Sequence, residues 1–316
     1  MSILHLVDPE LRPILELAPD MGVSLEKLPA TRGVIAAMTQ MGLEAADPRV
    51  SAKQYFAPGL GGAPEVRVVL YKPADLPQGA PVVLQIHGGG FLFGTAELGD
   101  PRNRAMALAV GCAVASVEYR LAPETAFPGG LDDCYAALVW LAGQATELGL
   151  DPARIAIRGE SAGGGLAAGL AIMARDLGGP AICFQLLVYP MLDDRTVNAA
   201  VNQFTGHLIW DRPSNLFAWE SWLGMAAGTD SVPSLAAPAR TADLAGLPPT
   251  CITTAALDLF IDEDLEYARR LIHAGVPTEL HVAPGAFHGF DAMVPEAAVT
   301  QRFIACGDQA LRRVFW

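Results

Sequence analysis

Short apolar runs alternate along the chain with longer segments in which apolar residues recur at helical spacing. The runs occupy residues 66–71, 82–86, 113–118, 154–158, 183–189, 250–257 and 278–283. Helical spacing covers about 132–147, 162–175, 263–273 and 297–314. Strands that alternate with helices in this way usually lie parallel and are covered on both faces. The pattern therefore predicts an α/β fold with a mostly parallel central sheet.

Two stretches fall outside this alternation. Residues 1 to about 50 contain helix-like segments before the first predicted strand, and residues from about 191 to 235 separate two predicted strands. The second stretch is rich in large apolar side chains, which are Phe204, Leu208, Ile209, Trp210, Phe217, Trp219 and Trp222. Ordinary packing of two helices would account for most of them. Asp211 and Pro213 are expected to start a helix, because proline is tolerated in a first turn.

Ser161 lies at the centre of the pentapeptide GESAG, residues 159–163, between an apolar run and an Ala/Leu-rich helical segment. Glycines two residues before and after the serine allow a sharp turn from strand to helix, with the serine side chain exposed at its apex. This placement predicts a nucleophile. The alternative is an ordinary turn, since a serine between glycines is common in proteins.

A glycine cluster, HGGGF at residues 87–91, directly follows the buried strand predicted at 82–86. The amides of Gly88 and Gly89, together with that of Ala162 after the serine, are candidate donors for an oxyanion. A phosphate-binding loop is the alternative, but the cluster lacks the Lys-Ser/Thr pair and the dinucleotide spacing. His87 itself is interpreted as a structural hydrogen-bond donor that stiffens this loop.

A general base is expected downstream of the serine, after an acid, in the order of this motif class. His288 follows the last predicted strand on a loop at its carboxyl end, which faces the same side as the serine turn. A histidine satisfied within its loop is the alternative. Four other histidines have less suitable positions: His5 is near a terminus, His207 lies in the interrupting stretch, His273 falls on a predicted helix and His281 lies within a predicted strand.

Four carboxylates compete for the role of the acid. Asp258 ends the apolar run 251–257, whereas Asp262, Glu263 and Asp264 fall in a predicted first helical turn, where carboxylates commonly act as caps or dipole partners. Asp258 is therefore the preferred acid, and Asp262 is the main alternative.

Taken together, five segments resemble the signature motifs of the hormone-sensitive-lipase family of α/β-hydrolase esterases. They are residues 87–91 (HGGGF), 119–124 (YRLAPE), 159–164 (GESAGG), 258–263 (DLFIDE) and 287–290 (FHGF). The resemblance spans about residues 65 to 315 and implies an α/β-hydrolase fold and a carboxylic ester hydrolase. It implies Ser161 as nucleophile, Asp258 as acid, His288 as base, and an oxyanion hole from the His87 loop with Ala162. Glu160 departs from the Asp or Thr that is commonest in the family.

The resemblance also implies a cap over the active site, formed by residues 1–50 and the insertion at about 191–235, on a catalytic domain of residues 51–316. The candidate contacts for the acyl group in that cap are Phe204, Leu208, Trp210 and Trp219. A pocket lined by such large side chains favours short to medium acyl esters. Family members often pair through the last strand and helix, so a homodimer is possible. Non-catalytic hormone receptors of plants resemble the same family but lack the histidine, and His288 argues against that class. The same residues are also compatible with hydrolysis of amides, carbamates or carbonates, or with transfer of the acyl group to an alcohol instead of water.

Composition narrows the range of partners. The chain has 316 residues, of which 52% are hydrophobic, and a formal net charge of −13, which argues against a nucleic-acid partner. Because no apolar run reaches membrane-spanning length and no leader pattern is visible, we expect a cytoplasmic protein. The five cysteines lack a metal-ligand spacing, and neither metal nor organic cofactor is expected.

Arg120 and the nearby carboxylates are expected to brace the loop after residue 118 against the His87 loop.

Overall fold

The computed structural model describes residues 3–17, 22–200 and 202–316, and its centre is an eight-stranded sheet. The strands are β1 (Val50–Ala57), β2 (Val66–Pro73), β3 (Ala80–Ile86), β4 (Ala113–Val117), β5 (Leu150–Glu160), β6 (Phe184–Val188), β7 (Thr250–Ala255) and β8 (Thr278–Ala283). Their order is β1-β2-β4-β3-β5-β6-β7-β8. Strand β2 pairs antiparallel with both neighbours, and all pairs from β4 to β8 are parallel.

Helices cover both faces of this sheet. They are α1 (Arg12–Leu17), α2 (Leu28–Glu44), α3 (Asp100–Val110), α4 (Gly129–Gln144), α5 (Ala162–Leu177), α6 (Arg212–Leu223), α7 (Ile261–His273), α8 (Phe290–Met293) and α9 (Ala298–Phe315). One apolar core packs α4, α5 and α7 against the sheet, and a second packs α3 and α9 against the opposite face. Within the described ranges, no helix is both long and apolar enough to cross a bilayer.

The predicted α/β fold is confirmed, and each of the seven predicted strands corresponds to one of β2 to β8. Strand β1 escaped prediction because only its two end residues are buried, so no apolar run marks it. Helix α3 was missed because its first turns carry Asp100, Asn103 and Arg104, which are polar yet buried. The strand predicted to reach residue 257 ends at residue 255, and the turn that follows leads to Asp258.

The segments outside the alternation contact each other above the carboxyl ends of the strands. Asp211 caps α6 as predicted, its carboxylate accepting from the amide of Ser214 (2.9 Å), and Pro213 lies in the first turn. The amide of Val23 donates to Ser214 Oγ (2.9 Å), which ties the N-terminal segment to the insertion. Earlier residues pack elsewhere, since the Asp8 amide donates to the carbonyl of Gly285 beyond β8 (2.9 Å).

Arg32 fastens α2 to two loops at the same end of the sheet. Its Nε donates to the carbonyl of Leu92 (2.8 Å) and its Nη2 to that of Ala122 (3.0 Å). The guanidinium also forms a two-point ion pair with Glu124, at 2.7 and 2.8 Å. The planar fork of arginine suits such multiple acceptors. Helix α2 is therefore held against the loop that follows His87 even though most of its surface is exposed.

Candidate active site

Ser161 occupies the predicted turn between β5 and α5. Its backbone angles are φ 55° and ψ −121°, a conformation that side-chain-bearing residues rarely adopt. The two flanking glycines are required by space: a Cβ at Gly159 would be 2.0 Å from the Gly163 carbonyl oxygen, and one at Gly163 would be 2.2 Å from that of Ile86. The tight turn therefore presents the serine side chain at the carboxyl edge of the sheet.

His288 connects Ser161 to Asp258. Its Nδ1 donates to Asp258 Oδ2 (2.6 Å), and its Nε2 lies 2.9 Å from Ser161 Oγ, within hydrogen-bond distance. A carboxylate only accepts, so the shared proton belongs to Nδ1, and Nε2 is free to accept the hydroxyl proton of the serine. All three side chains are buried. The structure thus brings together the three residues that the sequence indicated.

The other carboxylates of this segment have different surroundings. Asp262, the main alternative, is exposed in the first turn of α7. Glu263 accepts from the amide of Leu192 (2.7 Å), and Asp264 Oδ2 lies 2.5 Å from Thr254 Oγ1. Asp258 is held by the Phe260 amide, which donates to its Oδ1 (3.0 Å).

Aromatic rings surround the imidazole of His288. The ring centroids of Tyr189, Phe260 and Trp210 lie 4.8, 5.2 and 6.2 Å from its own. Such rings exclude water and strengthen electrostatic interactions in the enclosed space. Sequence reasoning missed Tyr189 and Phe260. Tyr189 directly follows β6 and Phe260 directly precedes α7, and their spacing in the sequence gave no signal of a contact with His288.

The glycine loop that follows β3 lies beside Ser161. A Cβ at Gly88 would be 3.0 Å from the carbonyl oxygen of Glu160 and 3.5 Å from Ser161 Cβ, so there is little room for a side chain between the loop and the serine. Gly89 has φ +114°, and a Cβ there would be 2.0 Å from the Phe93 carbonyl oxygen. Because Ala162 starts α5, its amide lies at a helix N-terminus beside the same loop.

His87 has the contacts of a structural residue. Its Nδ1 donates to the Gly88 carbonyl (2.8 Å), its ring stacks on that of Tyr119 at 4.3 Å, and the Tyr119 hydroxyl donates to the His87 carbonyl (3.0 Å). Burial lowers the pKa of His87, which keeps the ring neutral. These contacts agree with the interpretation of His87 as a brace of the glycine loop.

The prediction that Arg120 contacts the His87 loop is wrong. Arg120 pairs with Asp133 in α4, with Nη2 to Oδ1 at 2.8 Å, because its side chain extends toward the start of that helix. The contacts to the His87 loop come instead from the Tyr119 hydroxyl and from the Ala122 amide, which donates to the Phe91 carbonyl (2.9 Å).

The four cap candidates occupy different positions. Trp210 lies against Gly90 and near His288, and its Nε1 donates to Asn215 Oδ1 (3.3 Å). Trp219 is fully buried and packs on Phe91, at 5.6 Å between centroids. Leu208 is partly buried against the core that contains α9, and Phe204 is 43% exposed. The structure therefore brings Trp210 close to His288, whereas Phe204 is at the surface.

A possible metal-ligand set lies away from this site, on β7 and β8. Among the described residues, Cys251, Glu279 and His281 form the one set of three or more possible ligands whose ligand atoms all lie within 4.8 Å of one another. Burial raises the pKa of the Cys251 thiol to about 12, which disfavours the thiolate that a metal requires. The Glu279 carboxylate is paired with Arg313 and His281. The contacts of Glu279 and His281 therefore agree with an ion-pair network, and Cys251 is a buried thiol beside it.

Comparison with known proteins places this geometry in context. A family profile described as the alpha/beta hydrolase fold matches residues 83–292. The chain is 42% identical over 260 residues to carboxylesterase NlhH of Mycobacterium tuberculosis, covering 80% of this chain and 81% of that protein. It is 38% identical to esterase LipI of the same species, covering 73% and 72%.

Two solved structures extend the similarity to nearly the whole chain. A bacterial heroin esterase has a TM-score of 0.94 and 45% identity, covering 100% of both chains. Esterase LipW from Mycobacterium marinum has a TM-score of 0.88 and 36% identity, covering 99% of this chain and 97% of that one.

Proposed function

We propose that Ser161, Asp258 and His288 carry out the reaction of this chain, which belongs to the hormone-sensitive-lipase type of the α/β-hydrolase fold family. The chain is a carboxylic ester hydrolase. The resemblance of its motifs to that family is confirmed. The observation that carries the assignment of roles is the pair of contacts made by His288, with Nε2 at 2.9 Å from Ser161 Oγ and Nδ1 at 2.6 Å from Asp258 Oδ2.

Acylation starts at this contact. As Ser161 Oγ attacks the ester carbonyl carbon, its proton moves to His288 Nε2, and Asp258 stabilises the imidazolium through Nδ1. The carbonyl oxygen becomes an oxyanion. His288 then gives the proton to the alkoxy oxygen, the carbon–oxygen bond to the alcohol breaks, and an acyl-enzyme ester remains on Ser161.

The oxyanion is held by the amides of Gly88, Gly89 and Ala162. Such fixed donors are worth about 3–4 kcal/mol each in similar sites. The close approach of Gly88 to the Ser161 side chain, at 3.5 Å from a Cβ to Ser161 Cβ, supports this assignment. Any side chain at Gly88 would fill the space beside the serine.

Deacylation repeats the sequence with water. His288 takes a proton from water as the water oxygen attacks the acyl carbon, and Ser161 Oγ leaves with the proton from Nε2. The products are a carboxylic acid and a regenerated hydroxyl. The cycle balances without metal, redox group or organic cofactor.

Short to medium acyl esters fit the enclosed site best. Ser161 is only 6% exposed, and Trp210 lies close to both Gly90 and His288. Large rings near the acyl carbon limit chain length, and one methylene in such a pocket is worth about 1–3 kcal/mol of discrimination. We assign Trp210 to this wall, with Leu208 and Trp219 behind it and Phe204 at its rim.

Location and assembly are part of the same proposal. All five cysteines are unpaired, which supports a reducing compartment such as the cytoplasm. Strand β8 is an edge of the sheet, and its partly exposed residues support pairing of two copies through it. Light scattering on the purified chain tests the homodimer directly.

The test of the function is a hydrolysis profile with p-nitrophenyl esters from acetate to palmitate, compared with Ser161→Ala. We expect the wild-type chain to prefer the shorter esters and the variant to lose at least about 10⁴-fold in kcat while keeping its fold. Ser231→Ala, an exposed serine, is the matched control. A fluorophosphonate probe should modify the wild type and the control but not Ser161→Ala. Undiminished hydrolysis by the folded Ser161→Ala variant would refute the assignment.

A further inference from the structure

A second hydrogen-bonded pair lies directly behind the catalytic histidine. The Tyr189 hydroxyl donates to Asp291 Oδ1 at 2.6 Å. Tyr189 is the first residue after β6, whereas Asp291 lies three residues after His288, in α8. Both side chains are buried. The bond therefore connects the end of a central strand to the short segment that carries His288.

The Tyr189 ring is packed between the histidine and helix α9. It contacts the His288 imidazole at an interplanar angle of 61°, and it is nearly parallel to the Phe303 ring, at 6.0 Å between centroids. The Tyr189 amide donates to the carbonyl of Thr253 (2.6 Å). Contacts from both sides thus fix the place of the phenol.

The backbone of Tyr189 is in an unfavourable region. Its φ is +33°, which side-chain-bearing residues rarely adopt because of steric strain. Such conformations persist where the surroundings impose them, and they cluster at functional sites. Here the conformation directs the phenol toward Asp291 and the imidazole.

A partly buried ion pair lies at the end of the strand that precedes the nucleophile. Arg158 forms an ion pair with Glu160, and its Nη1 donates to Gln85 Oε1 on β3 (2.8 Å). Residues 158 and 160 share a face of β5, since side chains alternate along a strand. The glutamate that departs from the family's commonest residue is therefore the partner of a buried arginine immediately before Ser161.

The charges of this pair reach Asp291. Burial raises the pKa of Asp291 and the Glu160 carboxylate raises it further, while the Tyr189 hydroxyl and the charge of Arg158 act in the opposite direction. One cation and two acids are therefore grouped around Tyr189, between the strand that ends at Ser161 and the segment that carries His288.

We propose that Tyr189 and Asp291 are positioning residues for the catalytic base: their hydrogen bond holds the His288 segment where Nε2 can take the proton of Ser161. This inference rests on the proposed roles of Ser161 and His288. Proton transfer requires hydrogen-bond distance, and a misplacement of about 1 Å can cost about 10²-fold in rate. Loss of the bond acts through the histidine, so it lowers kcat and leaves KM nearly unchanged.

The experiment compares four variants by kcat, KM and thermal unfolding. Tyr189→Phe removes the hydroxyl and keeps the ring, whereas Asp291→Ala removes the acceptor. We expect each to lower kcat about tenfold or more with KM within about twofold. Asp291→Asn retains a carbonyl oxygen that can accept from Tyr189, and we expect it to keep at least about one third of the wild-type kcat. The double variant Tyr189→Phe/Asp291→Ala should be no worse than the poorer single variant, because both remove the same bond.

Tyr267→Phe is the matched control. The Tyr267 hydroxyl is also buried, on α7, and has no hydrogen-bond partner among the described residues. Its loss should leave kcat at the wild-type value. A purely structural role for Tyr189 would lower the unfolding temperature but leave kcat per folded molecule intact. That result would overturn the inference, as would an Asp291→Asn variant as impaired as Asp291→Ala.

Reaction with the fluorophosphonate probe separates this inference from the proposed function. If Ser161 reacts and ester hydrolysis requires Ser161 and His288, yet Tyr189→Phe reacts and turns over at the wild-type rate, only the positioning role fails. If Ser161 proves dispensable for hydrolysis, the catalytic roles fail and the positioning role fails with them. Should Tyr189→Phe not fold, the contrast between Asp291→Asn and Asp291→Ala still decides.

Discussion

Trp210 lies so close to Gly90 that a Cβ at position 90 would be 2.5 Å from its Cη2 atom. Trp210 belongs to the insertion that is predicted to form part of a cap, and Gly90 belongs to the loop that supplies the proposed oxyanion donors. Ile209, just before Trp210, has φ +63°, an outlier for a β-branched residue. A strained backbone thus accompanies the packing of the Trp210 ring against the glycine loop.

Gly90→Ala should therefore impair catalysis. The added methyl would clash with Trp210, and the alanine backbone would have to keep φ +60°. We therefore expect the loop to shift and kcat/KM to fall by about tenfold or more. Gly61→Ala is the matched control, because Gly61 has φ +58° with no atom within 4 Å of the added methyl. It carries the same backbone penalty and should change only the unfolding temperature. Equal activity in the two folded variants would show that the contact with Trp210 is without consequence.

Trp210→Ala should shift preference toward longer acyl chains. Removal of the indole opens space next to Gly90 and His288, so the ratio of kcat/KM for the decanoate ester to that for the butyrate ester should rise about tenfold or more. Phe204→Ala, at an exposed position, is expected to change that ratio less. The folding of Trp219→Ala and Leu208→Ala must be checked first. Removal of a fully buried tryptophan side chain lowers the free energy of unfolding by about 3–5 kcal/mol. An unchanged ratio in folded Trp210→Ala would place the acyl pocket elsewhere.

Asp258→Asn should lower kcat by about 10⁴-fold. The amide can donate where the carboxylate accepts, which favours the wrong tautomer of His288 and leaves its imidazolium without a counter-charge. Asp262→Asn alters an exposed side chain on α7 and should keep kcat near the wild-type value. Steady-state kinetics on both variants decides between the two carboxylates. A larger kinetic loss in folded Asp262→Asn would reverse the assignment.

Asp264 is expected to make stability depend on pH. Burial raises its pKa well above 3.8, the charge of Glu263 adds to this, and its Oδ1 has no hydrogen-bond partner among the described residues. The unfolded chain releases this proton at lower pH than the folded chain does. The stability contributed by the protonated group is therefore complete below about pH 3.8 and is lost as the pH rises toward the raised pKa.

Asp264→Asn removes that titration and keeps a similar shape. The difference in Tm between Asp264→Asn and the wild type should therefore become more favourable to the variant as the pH is raised from 4 to 8. Melting curves across this range measure it, with the exposed Asp262→Asn as control. A constant difference across the range would contradict a raised pKa at Asp264.

Much of the fold could be predicted because its strands are buried on both faces and read as apolar runs. The same runs located Ser161, Asp258 and His288, since each follows a strand end at one edge of the sheet. Strand β1 lacks this signal because most of it is exposed. The surroundings of His288 were beyond prediction from spacing: Tyr189 reaches it only because β6 lies between β5 and β7. The boundary between cap and catalytic domain stays a prediction.

The anchoring of α2 by Arg32 has a consequence for any motion of the N-terminal segment. Arg32 donates to the carbonyl of Leu92, in the loop that follows Gly88 to Gly90. If α2 moved outward, this hydrogen bond would break and the loop of the proposed oxyanion donors would be less well held. The position of α2 and the geometry of the proposed oxyanion loop would then depend on each other. We therefore expect a chain shortened by its first 50 residues to lose turnover, because it would lack the arginine that holds the loop after Gly90 in place.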